Sequence, residues 1–191
     1  MDELPATAAW RHVEARDGFE VLHPRPDGDG YRFDGHSTAV EDGEAWAVSY
    51  SLSVDPAWVT RSAWVVTRTA SGERETTLEA DGSGGWRVDG DPAPALDGCP
   101  DVDLEASAFT NALPVHRLGL AVGDRAEAPA AYVRAVDLRV ERLEQTYVRL
   151  EDDGERMRYD YAAPRFSYRE VLVYDRFGLV LDYPGLAVRV A

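Results

Sequence analysis

A chain of 191 residues, 45% of them hydrophobic, is long enough for one compact domain spanning residues 1–191 with a core of its own. It carries 35 acidic against 20 basic residues, a net charge of −15, so a nucleic-acid backbone or an anionic membrane surface would be repelled over a Debye length. No run of 18 apolar residues offers stable membrane insertion, and acids stand at the N-terminus where an export signal needs a basic start, so a cytoplasmic, unexported protein is expected.

In chain order, "HPRPDGDGYRFDG" (23–35) reads as a Gly- and Pro-rich loop. The first clear element is "WAVSYSLSV" (46–54), where Trp46, Val48, Tyr50, Leu52 and Val54 alternate with Ala47, Ser49, Ser51 and Ser53. That period of two predicts a strand with one apolar face. The small side chains of its second face either meet water or leave room for something to lie against them. "DPAWVTR" (55–61) forms a helical turn at most. Similar alternation follows in "RSAWVVTRTA", "RETTLEA", "GWRVDG" and "VDLEA", and later in "QTYVRL", "RMRYDYA", "YREVLVYD" and "LAVRV". "DGDPAPALDG" (89–98) reads as a loop. "APAAYVRAVDLRVERL" (128–143) fits helix or strand and, with β-branched residues in its second half, is assigned to strand. The turn signals "TASGER", "DGSGG", "EDDGER" and "DRFG" are too short for a parallel crossover, which needs a dozen or more residues. The expected fold is therefore mainly β: an antiparallel meander curled into a half-barrel, with few short helices.

The stretch "DGCPDVDLEASAFTNALPVHRL" (97–118) holds the densest chemistry. Asp101, Asp103 and Glu105 share one strand face, spaced by roughly 6.5 Å. Such spacing suits a carboxylate pair acting across a water or a calcium site, but a solvated or ion-paired face explains it without further motifs. A small hydrolase acting on a sugar or ester through Asp101, Asp103 and His116 is the catalytic alternative. The lone Cys99 allows no internal disulfide and reads as a buried small hydrophobe. His12, His23 and His36 lack metal-ligand spacing, the glycine-rich turns lack lysine, and no GxSxG elbow occurs, so neither metal, cofactor nor nucleotide is expected. Five Trp, nine Tyr and five Phe suit both a sheet core and a cleft for an amphipathic lipid or sugar.

Residues 98–118 resemble the signature GCxDVDLxxSxFTNxLPxxRL of the bacterial "putative glycolipid-binding" family, through Gly98, Cys99, Asp101, Val102, Asp103, Leu104, Ser107, Phe109, Thr110, Asn111, Leu113, Pro114, Arg117 and Leu118. Gln145, Tyr147 and "VYDRFGLVLDYPGLAVR" extend the resemblance over almost the whole chain. Ala108 and His116 depart from the proline and second arginine expected there, so the resemblance does not reach a paired-arginine anion site. It implies a half-barrel similar to the periplasmic lipoprotein carriers, with an acyl chain on the concave face and no catalysis. The residues expected to touch a lipid or glycolipid are Asn111, His116, Arg117, Tyr147, Tyr159 and Tyr183, with Asn111 or Arg117 holding a head at the rim. The signature itself is expected to form a strand and a turn, in a monomer or a dimer.

Overall fold

The computed structural model describes residues 4–191; Met1–Glu3, part of the acidic start, lie outside them. Eight strands form in succession: β1 (Ala8–His12), β2 (Asp17–Asp27), β3 (Gly30–Glu41), β4 (Glu44–Val54), β5 (Thr60–Thr69), β6 (Gly72–Ala80), β7 (Trp86–Val88) and β8 (Asp91–Pro92). A middle segment brings β9 (Asp101–Leu104), a 3-10 turn (Phe109–Asn111), helix α1 (Ala112–Leu118), β10 (Arg125–Glu127), β11 (Ala130–Val133) and β12 (Val140–Leu143). The chain ends in β13 (Thr146–Asp153), β14 (Arg156–Ala163), β15 (Tyr168–Tyr174), β16 (Val180–Tyr183) and β17 (Ala187–Arg189). Fourteen strands make one sheet in the order β10-β13-β14-β15-β16-β17-β1-β2-β3-β4-β5-β6-β7-β8, and β12-β11-β9 make a small second sheet. The large sheet is antiparallel throughout and does not close, since β10 and β8 remain separate edges. No helix among the described residues is long and apolar enough to cross a membrane.

Hairpin chemistry sets the rhythm. Asp42 and Gly43 join β3 to β4 with φ of 51° and 80°, the pair of positive values that a type I′ turn demands. In β4 the inward side chains are those of the predicted apolar face. The small residues of the other face do not sit bare in water. Their hydroxyls bond across strands, Ser53 to Ser62 at 2.7 Å, Ser51 to Asp34 at 2.6 Å and Ser49 to His36 at 3.0 Å.

Three sequence expectations change. Residues 23–35 are the paired ends of β2 and β3, not a loop. Pro24 and Pro26 are tolerated there because β1 pairs with β2 only as far as Leu22, leaving their missing N–H groups on an unpaired side. The end of the signature is helical, not a turn: Ala112–Leu118 closes on Gly119 in the left-handed conformation at φ 52°. The meander is also not wholly antiparallel, because β9 lies parallel to β11. The 25 residues between them, 105–129, including α1, supply the crossover length that a short turn lacks. Residues 128–143 do contain strand, as two pieces, β11 and β12, paired as a hairpin.

The middle segment lies between the two halves of the large sheet. Phe109 packs on Phe33 of β3 at 4.4 Å between ring centroids, and Ser107 donates to Glu20 of β2. On the opposite side Tyr147 of β13 donates to Asn111 Oδ1 at 2.9 Å, and Tyr174 of β15 donates to the Asn111 carbonyl at 3.3 Å. The sheet thus curves around β9 and the turn after it, and the same buried cluster collects Trp10, Phe33, Phe109, Leu113 and Tyr174. Burying each such aromatic or aliphatic side chain contributes about 1.5–3 kcal/mol, so the insert is part of the core and not an appendage.

Candidate functional site

The curve of the sheet is not left hollow along its length. The middle segment fills most of it, and a cavity of about 210 Å³ lies between the small sheet and the β14–β17 half. Its floor comes from the signature: Asp103 of β9 and Asn111 of the 3-10 turn. Its walls come from the C-terminal strands, where period two points Tyr161 and Ala163 of β14 inward, joined by Tyr168 of β15 and Tyr183 of β16. Tyr132 of β11 and Phe166, on the 3-10 turn Pro164–Phe166, complete the apolar side with rings 5.4 Å apart. Phe166 is 43% exposed and marks the mouth. Arg16, Glu41 and Glu105 form the charged part of the lining.

The floor is a hydrogen-bond network. Asp103 is almost fully buried and accepts from Thr110 Oγ1 at 2.8 Å and from Gln145 Nε2 at 2.5 Å. Gln145 Nε2 also donates to the Tyr161 hydroxyl at 3.0 Å. Burial pushes the Asp103 carboxyl up to about 6, against the lowering by its two donors and with the neighbouring carboxylates of Asp101 and Glu105 adding to the rise. Each carboxylate oxygen has two acceptor positions, so Asp103 keeps capacity for a donor from the cavity. Tyr183 packs edge to face with Tyr161 and Tyr168, which lie tilted to each other, with centroids 5.7 to 6.0 Å apart. Burial raises the Tyr161 and Tyr183 hydroxyls, which stay protonated and able to donate.

A second network lies beside the first. Glu20, fully buried on β2, accepts from the Tyr50 hydroxyl at 2.6 Å, from the Ala108 amide at 2.7 Å and from Ser107. Burial raises its carboxyl, while these donors and the charge of Arg16 lower it. Arg16 donates through Nη2 to the Glu105 carbonyl at 2.7 Å, and its guanidinium lies 5.2 Å over the Trp46 ring.

Of the six residues expected to touch a ligand, Asn111 and Tyr183 line the cavity, and Tyr147 stands one bond behind, holding Asn111. The other three point elsewhere. Arg117 grips buried Asp101 through Nε at 3.0 Å and Nη2 at 2.6 Å. His116 lies flat on Trp58, centroids 3.5 Å apart and planes 4° from parallel. Tyr159 packs edge-on to Tyr147 and Tyr174, with the Arg149 guanidinium 5.1 Å over its ring. The carboxylate triad is not a solvated face: Asp101 is ion-paired but buried, and Asp103 is buried with no ion pair among the described residues. Of Asp101, Asp103 and His116, only Asp103 reaches the cavity.

Sequence reasoning missed Arg16, Glu20 and Tyr161. Glu20 shares the phase of Leu22 in β2, but Phe19 and Val21, which the structure leaves exposed, make the opposite phase at least as apolar, so its inward direction was not legible. Arg16 had no signal either, because it lies in the connection between β1 and β2.

Among curated proteins none matches this chain. Among solved structures, a protein of the DUF1089 family from Pseudomonas aeruginosa is 37% identical over 90% of this chain and 92% of its own, with a TM-score of 0.76. A β-barrel-like protein of the DUF1849 domain from Brucella abortus is 12% identical, covers 96% of this chain and 92% of its own at a TM-score of 0.53, and shares the fold alone. The sequence pattern of the family described as "Putative glycolipid-binding" matches residues 7–189, and the chain belongs to that family.

Proposed function

We propose that the chain is a single-domain, non-catalytic module that binds a glycolipid at this cavity, with the polar head inside and the hydrocarbon tail leaving past Phe166. The observation that carries this is a cavity of about 210 Å³ with aromatic and aliphatic walls over a floor of hydrogen-bonding groups. That volume lies below the roughly 300–1,000 Å³ of pockets that enclose a drug-sized ligand, so only part of a lipid enters. A hydrocarbon end against Asp103 and Asn111 would leave buried polar groups without new partners, which costs free energy. A head rich in hydroxyls gives them donors and sets its C–H faces against the tyrosine rings. This reverses the orientation in which the acyl chain fills the concave face.

Asn111 and Tyr183 are the head's contacts in this reading, and Tyr147 positions Asn111. A non-catalytic role is supported by the dispersal of Asp101, Asp103 and His116, which share no cleft. A cytoplasmic setting and a monomer or dimer remain part of the proposal, with the buried Cys99 thiol pushed up to about 11 by burial and so poorly reactive.

The test is a titration of the full chain, followed by NMR shifts, with n-octyl β-D-glucopyranoside and with n-octanol, both below their micelle or solubility limits. Binding of the glucoside alone, with shifts at Tyr161 and Tyr183, is the expected result. Equal binding of octanol, or no binding of the glucoside, overturns the reading.

A further inference from the structure

The hydrogen bonds of the cavity floor run in one direction and end on Tyr183. Gln145 Nε2 donates to the Tyr161 hydroxyl at 3.0 Å, and Tyr161 passes its own proton to the Tyr183 oxygen, a contact that raises Tyr161 and lowers Tyr183. Asn111 Oδ1 is taken by the Tyr147 hydroxyl at 2.9 Å, which turns Nδ2 the other way, and that amide is the second donor to Tyr183. A phenol has one proton and two acceptor positions. With both positions filled, the Tyr183 proton is left over, and so is the second N–H of Asn111; neither has an acceptor among the described residues. Asn111 and Tyr183 are 3% and 9% exposed and both line the cavity, so an acceptor for the two protons has to come from inside it.

Across the floor stands a group with the opposite need. Asp103 accepts from Thr110 and Gln145, one donor on each oxygen, and has room for another. The floor thus offers two donors at one end and a carboxylate at the other, with Gln145 and Tyr161 between them. An anionic ligand could take the two donors, but its charge would stand beside Asp103, whose field is already felt at Tyr183. A hydroxyl that accepts both protons still has its own proton to place. An amide carbonyl takes two donors with no proton of its own, and the N–H of the same planar trans amide points away from it, toward an acceptor on the far side. The methyl group of an acetyl amide finds an apolar surface in Ala163, Leu186 and Ala187.

We propose that the head taken by this cavity is an acylamino sugar, its amide oxygen accepting from Asn111 Nδ2 and the Tyr183 hydroxyl and its amide N–H donating to Asp103. This rests on the head-inside reading above and names the substituent that the site selects.

The experiment titrates the full chain with n-octyl β-D-glucopyranoside and with n-octyl N-acetyl-β-D-glucosaminide, each below its micelle concentration and followed by NMR. The expected result is that the N-acetyl compound binds about tenfold more tightly and shifts the side-chain amide signals of Asn111. Tyr183→Phe, which keeps the ring and removes the proton, is expected to shrink that gap to about twofold or less. Equal affinity of the two compounds for the natural chain, or tighter binding of the glucoside, overturns the proposal without touching the head-inside reading, as does an unchanged gap in Tyr183→Phe. Failure of both compounds to bind overturns both. The comparison on the natural chain needs no variant, so misfolding of Tyr183→Phe leaves it decisive.

Discussion

Gly35 and Tyr50 face each other across β3 and β4, and the Tyr50 ring occupies the space a side chain at 35 would need: a Cβ there would stand 2.1 Å from the ring's Cζ. That clearance lets the Tyr50 hydroxyl reach Glu20 at 2.6 Å and so fixes the turn that carries Ser107 and Ala108. Gly35→Ala is expected to cost about 1–3 kcal/mol as an overpacked core position, read by denaturant unfolding. Tyr50→Phe, which keeps the ring and removes one donor from a buried carboxylate, is expected to cost a similar amount. Unchanged stability in both would refute the coupling.

Asp101 and Arg117 tie β9 to α1 as a bidentate pair with little exposure, 3% and 15% for the side chains. Burial raises the Asp101 carboxyl while Arg117 pulls it back. Removing only the cation leaves a buried charge, so Arg117→Met is expected to destabilise by about 3–5 kcal/mol. The double variant Asp101→Leu with Arg117→Met is expected to recover much of that loss, because it removes the charge along with its partner. A double-mutant cycle in urea measures both.

The His116 ring, stacked on Trp58, is held neutral: burial lowers it from 6.5 to about 4, against a backbone hydrogen bond at Phe177 that raises it. A depressed histidine contributes stability that is complete above 6.5 and is lost as pH falls through about 4. The natural chain is therefore expected to lose stability relative to His116→Phe as the pH drops through that window, and a C2-proton titration of His116 is expected to show its midpoint near the lower end. A midpoint at the ordinary histidine value would contradict the packing.

Asp103 runs the other way. Its carboxyl is raised from 3.8 to about 6, so its contribution is present below 3.8 and lost as pH rises through about 6. The stability difference between Asp103→Asn and the natural chain is expected to move in the variant's favour by about 3 kcal/mol across that range. At neutral pH the same substitution is expected to weaken octyl glucoside binding, the mark of a group retained for a ligand at the expense of stability.

Gly178 has φ 73°, and a Cβ there would meet His116 Nε2 at 2.5 Å. Gly178→Ala combines backbone strain with displacement of the stacked ring. A loss of roughly 1–3 kcal/mol is expected, visible as a lower urea midpoint.

The β character was legible wherever alternation met a turn signal, as in β4 with its inward Tyr50 and in β14 with Tyr159 and Tyr161. Pairing with distant partners was not legible. Pro24 and Pro26 read as breakers because nothing local reveals that β1 stops at Leu22. Helix α1 was hidden because Pro114 and the β-branched Val115 argue against helix, while the fully buried Leu113 beside them favours it through tertiary packing. Of the residues singled out from the signature and its C-terminal companion, Asn111 and Tyr183 line the cavity. Asp103 was seen as a carboxylate, but its burial depends on β9 lying parallel to β11, a crossover that the spacing of residues does not announce. His116 and Arg117 were polar residues near the right place whose side chains turn away from it.

The pairing of β1 with β17, Trp10 opposite Arg189, sits in the middle of the fourteen-stranded order, with strands on either side of it. The seam of the sheet therefore joins residues from opposite ends of the described chain, and during synthesis β1 must wait until nearly everything else has left the ribosome. Until then its open side is an unpaired edge of the kind that invites contact with other nascent chains. Loss of only the last few residues would strip that edge again, in the centre of the molecule instead of at its margin.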